Sequence, residues 1–453
     1  MNSRIRSTNP RVAVSTDLNV AVIGSGIAGL GAAYTLKDHA QVTVFEQNAT
    51  VGGHSHAIDV TLDGKTWPVD VGFLVFNDRT YPQLIALFSE LNVDIAESEM
   101  SFAVSLGPYD YEWCGSNQLS KALAQPTNLL KPRFWRMIKD MMRFNKEATV
   151  LAQVANAKQL LTSESLGDYL ERNKYSQPFR NDYLLPMAAA IWSCPVDQIL
   201  AFPMHTFVRF CDNHGLLQVN NRPKWKTVRA SSRQYVSKIV AALSKSNASV
   251  VLNSQVQTIQ RDAGGVRLQV NGQWHSFDYV VMAGHSDQSL KILGDQASQG
   301  EVQALGAVAY QPNRTVLHTD VRLMPKRKRA WAAWNYLGKS SKGHQDQDLS
   351  VTYWSNCLQP LPFTTQVFVT LNPVIEPEPQ SIISDLSFSH PVFNGAAIDA
   401  QTQIAHLQGQ SRTFYAGAWL GYGFHEDGLK SGIAAANALI ALHADQALKL
   451  RAA

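Results

Sequence analysis

The chain has 453 residues, more than one compact core accommodates, so two or three folding units are expected. It is 45% hydrophobic and 17% charged, a soluble globular composition that excludes a disordered or fibrous chain. With 40 basic and 36 acidic residues, the net charge of +4 gives no ground for a nucleic-acid partner.

Residues 1–17 are rich in Ser, Thr and Arg without an apolar stretch, which reads as a loose polar tail and not as a secretory signal. Residues 19–23 read as a buried strand. A glycine turn, a helix to about Ala40 and a strand over 41–46 complete a βαβ unit. A helix is expected over 80–91, capped by Thr80, with Pro82 in its first turn and Leu84, Leu87, Phe88 and Leu91 on one face. Residues 118–227 are mainly helical in pattern. Their longest apolar run, 184–192, contains Pro186 and falls short of the roughly 18–20 residues of a membrane span. A further helix at 233–243 leads into strands at 249–252, 255–260, 266–270 and 279–282. Residues 301–375 alternate as a sheet does. A strand at 413–416, a glycine-rich turn and a helix through Leu442 end the pattern. Cys114, Cys194, Cys211 and Cys357 are spaced too irregularly for a zinc site or a disulfide framework, so reduced thiols of a cytoplasmic protein, and no metal, are expected.

Gly24-Ser25-Gly26-Ile27-Ala28-Gly29 fits GxGxxG between strand and helix. The first glycine permits a tight turn, the second lets a diphosphate approach the backbone, and the third lets helix and strand pack closely. Free N–H groups and the macrodipole at the helix start favour the phosphate charge. Glu46, at the end of the second strand, is placed to accept from a ribose diol.

This motif alone does not separate NAD from FAD, but three further features bear on the choice. Val51-Gly52-Gly53-His54 follows Glu46 closely, and residues 251–256 form a strand ahead of Tyr279-Val280-Val281-Met282-Ala283. Phe414-Tyr415-Ala416-Gly417, with Gly421 and Gly423, precedes a helix beginning near Asp427. Together these residues resemble the amine oxidase/phytoene desaturase/protoporphyrinogen oxidase superfamily of flavoproteins, discontinuously over 19–76 and 228–440. Asp70-Val71-Gly72-Phe73-Leu74-Val75-Phe76-Asn77, Asn213-His214-Gly215-Leu216-Leu217, Trp334-Asn335-Tyr336 and Gly423-Phe424-His425-Glu426-Asp427-Gly428 look like a narrower bacterial group of NAD/FAD-binding proteins.

The resemblance implies an α/β fold: a discontinuous Rossmann-like FAD-binding domain (18–76, 228–300, 405–447) and a substrate domain with a mixed sheet and a helical part (77–227, 301–404). It also implies that Gly52, Gly53 and the following His54 meet the FAD phosphates, that Val256 passes the adenine, and that Gly417 with Glu426, Asp427 and Gly428 meets the flavin. No Cys lies in 413–432, so the FAD is expected to be non-covalent. No second GxGxxG is present, so no separate NAD(P)H domain is expected. Two departures stand out: His54 occupies a position where the family usually has Arg, and Ala230-Ser231-Ser232 replaces a more usual glycine pair.

Such a protein moves hydride from a substrate C–H to flavin N5, with the cofactor supplying the difficult chemistry. His425 is the candidate base near neutral pH, with Glu426 and Tyr422 beside it; the alternative is a polar turn and cap. Trp192, Trp331, Trp334 and Tyr336 are candidate walls of an apolar substrate cavity, against the alternative of core aromatics. The stretch matching a lysine-bearing strand of many amine oxidases, 313–320, has no lysine; Arg314 and His318 are its polar candidates. Residues 129–144 and Lys326-Arg327-Lys328-Arg329 mix basic and apolar side chains, which suits peripheral contact with the inner membrane face as well as an ordinary solvated face. The leading reading is an FAD-dependent dehydrogenase or desaturase of a hydrophobic, lipid-like substrate. A flavin amine oxidase releasing H2O2 and a non-catalytic binding protein on the same fold are the alternatives.

Overall fold

The βαβ unit is present in the computed structural model as β1 (Asn19–Ile23), α1 (Ile27–Leu36) and β2 (Gln41–Phe45). The structure describes residues 18–107, 110–115, 124–158, 164–218, 223–338 and 350–452; the polar stretch 1–17 lies outside them. β1 is the central strand of a five-stranded parallel sheet, ordered Ala248–Val251, β2, β1, Tyr279–Met282, Thr413–Tyr415. Val22 pairs with Val44 on one side and Val281 on the other. Because both faces of the sheet are covered, β1 is nearly all apolar instead of alternating.

The two-residue period decides which cover each side chain meets. Val20 and Val22 pack with Leu30, Ala33 and Leu36 of α1, Tyr235 and Ile239 of the helix Arg233–Leu243, and Leu439 of the C-terminal helix His425–Ala452. Ala21 and Ile23 face the other way, onto Ile259 and Leu268 of an antiparallel meander and onto Leu305 and Ile404 of two helices, Gln299–Gly306 and Gly395–Leu407.

The first of those helices runs into 301–375, a region expected to be sheet. Its start carries a capping box: Glu301 N–H donates to Ser298 Oγ, and Ser298 N–H donates to the Glu301 carboxylate. The remainder of the region supplies strands to a seven-stranded mixed sheet, ordered Ile382–Pro391, Tyr310–His318, Phe368–Leu371, Val351–Trp354, Trp334–Gly338, Phe102–Leu106, Tyr111–Gly115. Helices between Pro132 and Asn213 pack against it in the core that holds Phe144, Trp192, Phe207 and Phe210.

α2 (Pro82–Glu90) buries Leu84, Leu87 and Phe88, as its spacing implied. Its cap differs from expectation. Thr80 is turned back onto Asn77, and the Gln83 and Leu84 N–H groups donate to the distant Glu426 carboxylate at 2.8 and 3.0 Å.

Candidate functional site

The glycine turn is tight. Gly24 has φ +100°, a conformation a side chain would strain, and its N–H donates to the Phe45 carbonyl. A Cβ on Gly29 would stand 1.9 Å from the Gly24 carbonyl oxygen, so only glycine lets α1 approach the turn this closely. Gly26 begins α1 without any side-chain cap, and a Cβ there would meet nothing within 4 Å. The helix therefore starts without a side-chain cap, and the side of Gly26 where a Cβ would stand is open, which fits a diphosphate. Gly53, at φ +57°, closes one side of that space: its Cβ would lie 3.1 Å from Gly26 Cα. Gly52 N–H donates to the Ser25 carbonyl at 3.1 Å and ties the two glycine turns together. Ile27 and Ala28 are buried beneath, packing α1 onto the sheet and the C-terminal helix.

Glu46 is 6% exposed. One carboxylate oxygen accepts from Ser25 N–H (3.0 Å) and Oγ (2.6 Å), the other from Asn48 N–H and Nδ2, both at 2.9 Å. Two of these four donors sit on side chains, which a ribose diol can replace. Val256, the buried first residue of the strand Val256–Arg261, is brought alongside: Glu46 N–H donates to Val251 O and Ser254 N–H to Glu46 O.

The position after the second glycine pair opens onto a cluster of imidazoles. The His54 ring lies 5.3 Å from His390, 6.4 Å from His285 and 5.0 Å from Phe388. His285 stacks on Tyr310 at 4.3 Å and follows the loop that packs on Gly24, whose Cβ would lie 3.1 Å from Ala283 O. His54 Nε2 is buried with no hydrogen-bond partner, an orphan that an added ligand can satisfy. Burial, then repulsion from the neighbouring imidazoles, pulls His54 down to about 3; burial likewise takes His390 to about 4 and lowers His285. A hydrogen-bond relay fixes the tautomer of His390. Arg314 N–H can only donate, and it donates to Asn372 Oδ1; Asn372 Nδ2 then donates to Asn313 Oδ1, and Asn313 Nδ2 to His390 Nδ1 at 2.9 Å. The proton of neutral His390 is therefore on Nε2, which is a donor. The cluster surrounds the position where the resemblance leads one to expect arginine.

His425 opens the C-terminal helix. Its ring stacks on Phe73 at 3.9 Å, and its Nε2 stands 2.6 Å from the Tyr235 hydroxyl, which also makes a very short contact with Ser55 Oγ. Burial raises the Tyr235 phenol and lowers His425 to about 3, so the contact joins a neutral phenol to a neutral imidazole. The expectation of a base titrating near neutral pH is thereby corrected: His425 is neutral and hydrogen-bonded in a chain with Tyr235 and Ser55.

Four residues assigned with it to the flavin end have other local partners. Glu426 caps α2, and burial raises its carboxyl. Asp427 accepts from Tyr422 and Phe424 N–H at 3.0 Å each, closing the 421–424 turn; burial takes it to about 6. A Cβ on Gly428 would stand 2.8 Å from Ile27 Cγ2, so this glycine serves the close packing of the C-terminal helix on α1. Gly417 N–H donates to Ser431 Oγ, and a Cβ on Gly417 would strike Trp419 Nε1 at 2.3 Å.

Two of the substrate candidates come together. Trp192 packs on Phe210 at 4.4 Å, and Phe210 on Phe424 at 5.1 Å and Tyr422 at 5.6 Å; Arg209 donates to the Tyr422 hydroxyl at 3.2 Å. Trp334 stands edge-on to Tyr353 at 4.8 Å, and Tyr353 hydrogen-bonds Ser193, next to Trp192. The indole N–H groups of Trp192 and Trp334 are both buried without partners. The other candidates are structural. Tyr336 is fully buried in the sheet. His318 accepts from Asp320 N–H and meets Thr370 Oγ1 at 2.7 Å, and burial lowers it to about 4. Trp331 donates to the Pro325 carbonyl, and Arg314 pairs with Glu376 and Asp385 at the surface. Sequence reasoning missed Ser55, Tyr235, His285, His390, Arg209 and Phe210; no motif marks them, because they converge only in the fold.

A family model described as flavin containing amine oxidoreductase matches residues 27–356. No curated protein sequence matches. Among solved structures, cyclohexylamine oxidase from Brevibacterium oxydans is similar at 15% identity and a TM-score of 0.68, covering 94% of this chain and 99% of that one. A putrescine oxidase bound to putrescine is similar at 14% identity and a TM-score of 0.68, with the same coverages. A fatty acid isomerase from P. acnes is similar at 14% identity and a TM-score of 0.63, covering 93% of this chain and 98% of that one.

Proposed function

We propose a substrate class for a chain that belongs to the flavin-containing amine oxidoreductase family and is an FAD-dependent oxidoreductase: a hydrophobic, lipid-like molecule oxidised at a C–H bond, in the manner of a dehydrogenase or desaturase. Bound without a covalent link, FAD would supply hydride acceptance at N5, the part of the reaction that protein side chains cannot perform. Gly24, Gly26, Gly53 and the imidazoles of His54 and His390 would hold its diphosphate, and Glu46 its ribose. The aromatic wall of Trp192, Phe210, Phe424 and Trp334 excludes water and takes an alkyl chain. His425, joined through Nε2 to Tyr235 and Ser55, follows Phe424 of that wall in the chain.

The observation that carries this reading is the state of the two nearby carboxylates. Glu426 and Asp427 are both spent on backbone N–H groups, leaving neither to pair with a substrate ammonium. A second reading, amine oxidation with peroxide release, is favoured by the fold shared with the cyclohexylamine and putrescine oxidases, although the isomerase shows the same fold serving a fatty acid. Anaerobic titration of the flavin decides between them. Bleaching of the visible band by unsaturated or saturated acyl lipids, and not by alkyl or aromatic amines, is expected; bleaching by a simple amine with every lipid inert would replace the first reading with the second.

A further inference from the structure

The long helix Pro132–Lys158 is amphipathic in an unusual sense: its outer face is apolar as well as basic. Phe134, Met137, Phe144, Ala148 and Ala152 turn inward and are buried. On the outside, Trp135, Lys139, Met142 and Lys146 recur at helical spacing, with Arg136 beside them. The turn leading into the helix adds Leu129 and Leu130. Leu130 is 85% exposed, Met142 66% and Trp135 53%. Side chains of this size are costly to leave in water, and contiguous ones mark a contact surface.

The charge pattern is one-sided. The helix has only two acids, and both face inward: Asp140 accepts from Ser176 N–H, and Glu147 accepts from the Tyr169 and Tyr175 hydroxyls. The second basic stretch of the sequence is brought beside the same turn. Lys326 N–H donates to the Glu112 carboxylate, while Asn128 Nδ2 donates to the Glu112 carbonyl, both at 2.7 Å. Lys326, Lys328 and Arg329 are exposed there, and exposed Asp110 beside them is paired with Arg327 at 2.9 Å.

We propose that this face, built from residues 129–142 and 326–329, docks on an anionic lipid bilayer, with Leu130, Trp135 and Met142 entering the interface and the surrounding lysines and arginines meeting lipid phosphates. A second copy of the chain is a poor occupant, because the same cationic face would confront itself. Nucleic acid would reward the cations but not the protruding Leu130 and Met142. Among the described residues no helix is long and apolar enough to cross a membrane, so the attachment is peripheral. The inference goes beyond the substrate reading and does not depend on it, since vesicle binding is measured without turnover.

The test is flotation of the FAD-loaded full chain with vesicles of phosphatidylethanolamine and phosphatidylglycerol, against vesicles of phosphatidylcholine alone. Binding to the anionic vesicles only, weakening as salt rises, is expected. Trp135→Glu with Met142→Glu should abolish it. Lys139→Gln and Arg136→Gln should each weaken it roughly fivefold. All the variants should keep the parent melting temperature and flavin spectrum, because the sites are exposed. No binding, equal binding to both vesicle types, full binding by the double variant, or concentration-dependent self-association lost in that variant would overturn the proposal.

Discussion

Replacing Gly26 with alanine separates cofactor binding from folding at the glycine turn. Gly26 has φ −67° and ψ 177°, a conformation any residue adopts, and an added Cβ meets no protein atom within 4 Å. The FAD-free protein should therefore melt at or slightly above the parent temperature, with a gain of about 0.4–1 kcal/mol from the stiffer unfolded chain. The same methyl stands where the diphosphate must approach the backbone. Overpacking of that kind costs about 1–3 kcal/mol, so FAD should bind roughly fivefold to 150-fold more weakly. Gly29→Ala makes the opposite control. Its Cβ would lie 1.9 Å from the Gly24 carbonyl, so the turn must open and the FAD-free fold itself should lose stability. Thermal melts of FAD-free protein and FAD titrations followed by flavin fluorescence read both quantities. If Gly26→Ala bound FAD as tightly as the parent, the diphosphate would not rest on the start of α1.

Ser231 sits at φ +77° with its hydroxyl buried and unpartnered, so Ser231→Gly should raise stability by about 1–2 kcal/mol in urea denaturation; a loss would mean the hydroxyl has a partner there. Glu426→Ala uncaps α2 and should cost about 1–2 kcal/mol, read from the shift in denaturation midpoint; a neutral result would contradict the capping role. Acidification should destabilise the fold. His54, His214, His318, His390 and His425 are held by burial at about 3–4, against about 6.5 when unfolded. Their stabilising neutral forms are fully present above about pH 6.5, and the contribution is lost as pH falls toward the folded values; for the fully buried His318 the loss is about 2 kcal/mol at pH 5. Asp70, raised by burial to about 7, and Asp427, to about 6, act in the opposite direction over the same range, but they are outnumbered. The melting temperature should therefore drop between pH 6.5 and 5, and a flat profile there would refute the buried neutral cluster.

The βαβ unit was legible because three short-range signals coincide within 30 residues: an apolar strand, glycines spaced as a tight turn and a closely packed helix require, and an acid at the second strand's end. The strand beside the ribose acid and the terminal strand were legible for the same reason, as runs with strong local pattern. What escaped is long-range. The cap of α2 comes from Glu426, more than 300 residues away, so Thr80 was the only local candidate. The helix Gln299–Gly306 carried its own Ser-x-x-Glu start but was overshadowed by the alternation that follows it. The resemblance alone assigns Gly428 to the flavin; that a Cβ there would crowd Ile27 is a packing reason no local pattern shows. His54 was visible only as a missing arginine, and its companions His285 and His390, from a loop and a strand far apart in the chain, are assembled by the fold alone.

The visible absorption spectrum of the purified protein tests the central claim most directly. A flavin spectrum that survives gel filtration, with FAD released in a one-to-one ratio on denaturation, is the result the account predicts. A colourless protein that takes up no FAD when refolded or incubated with it would contradict the account at its root.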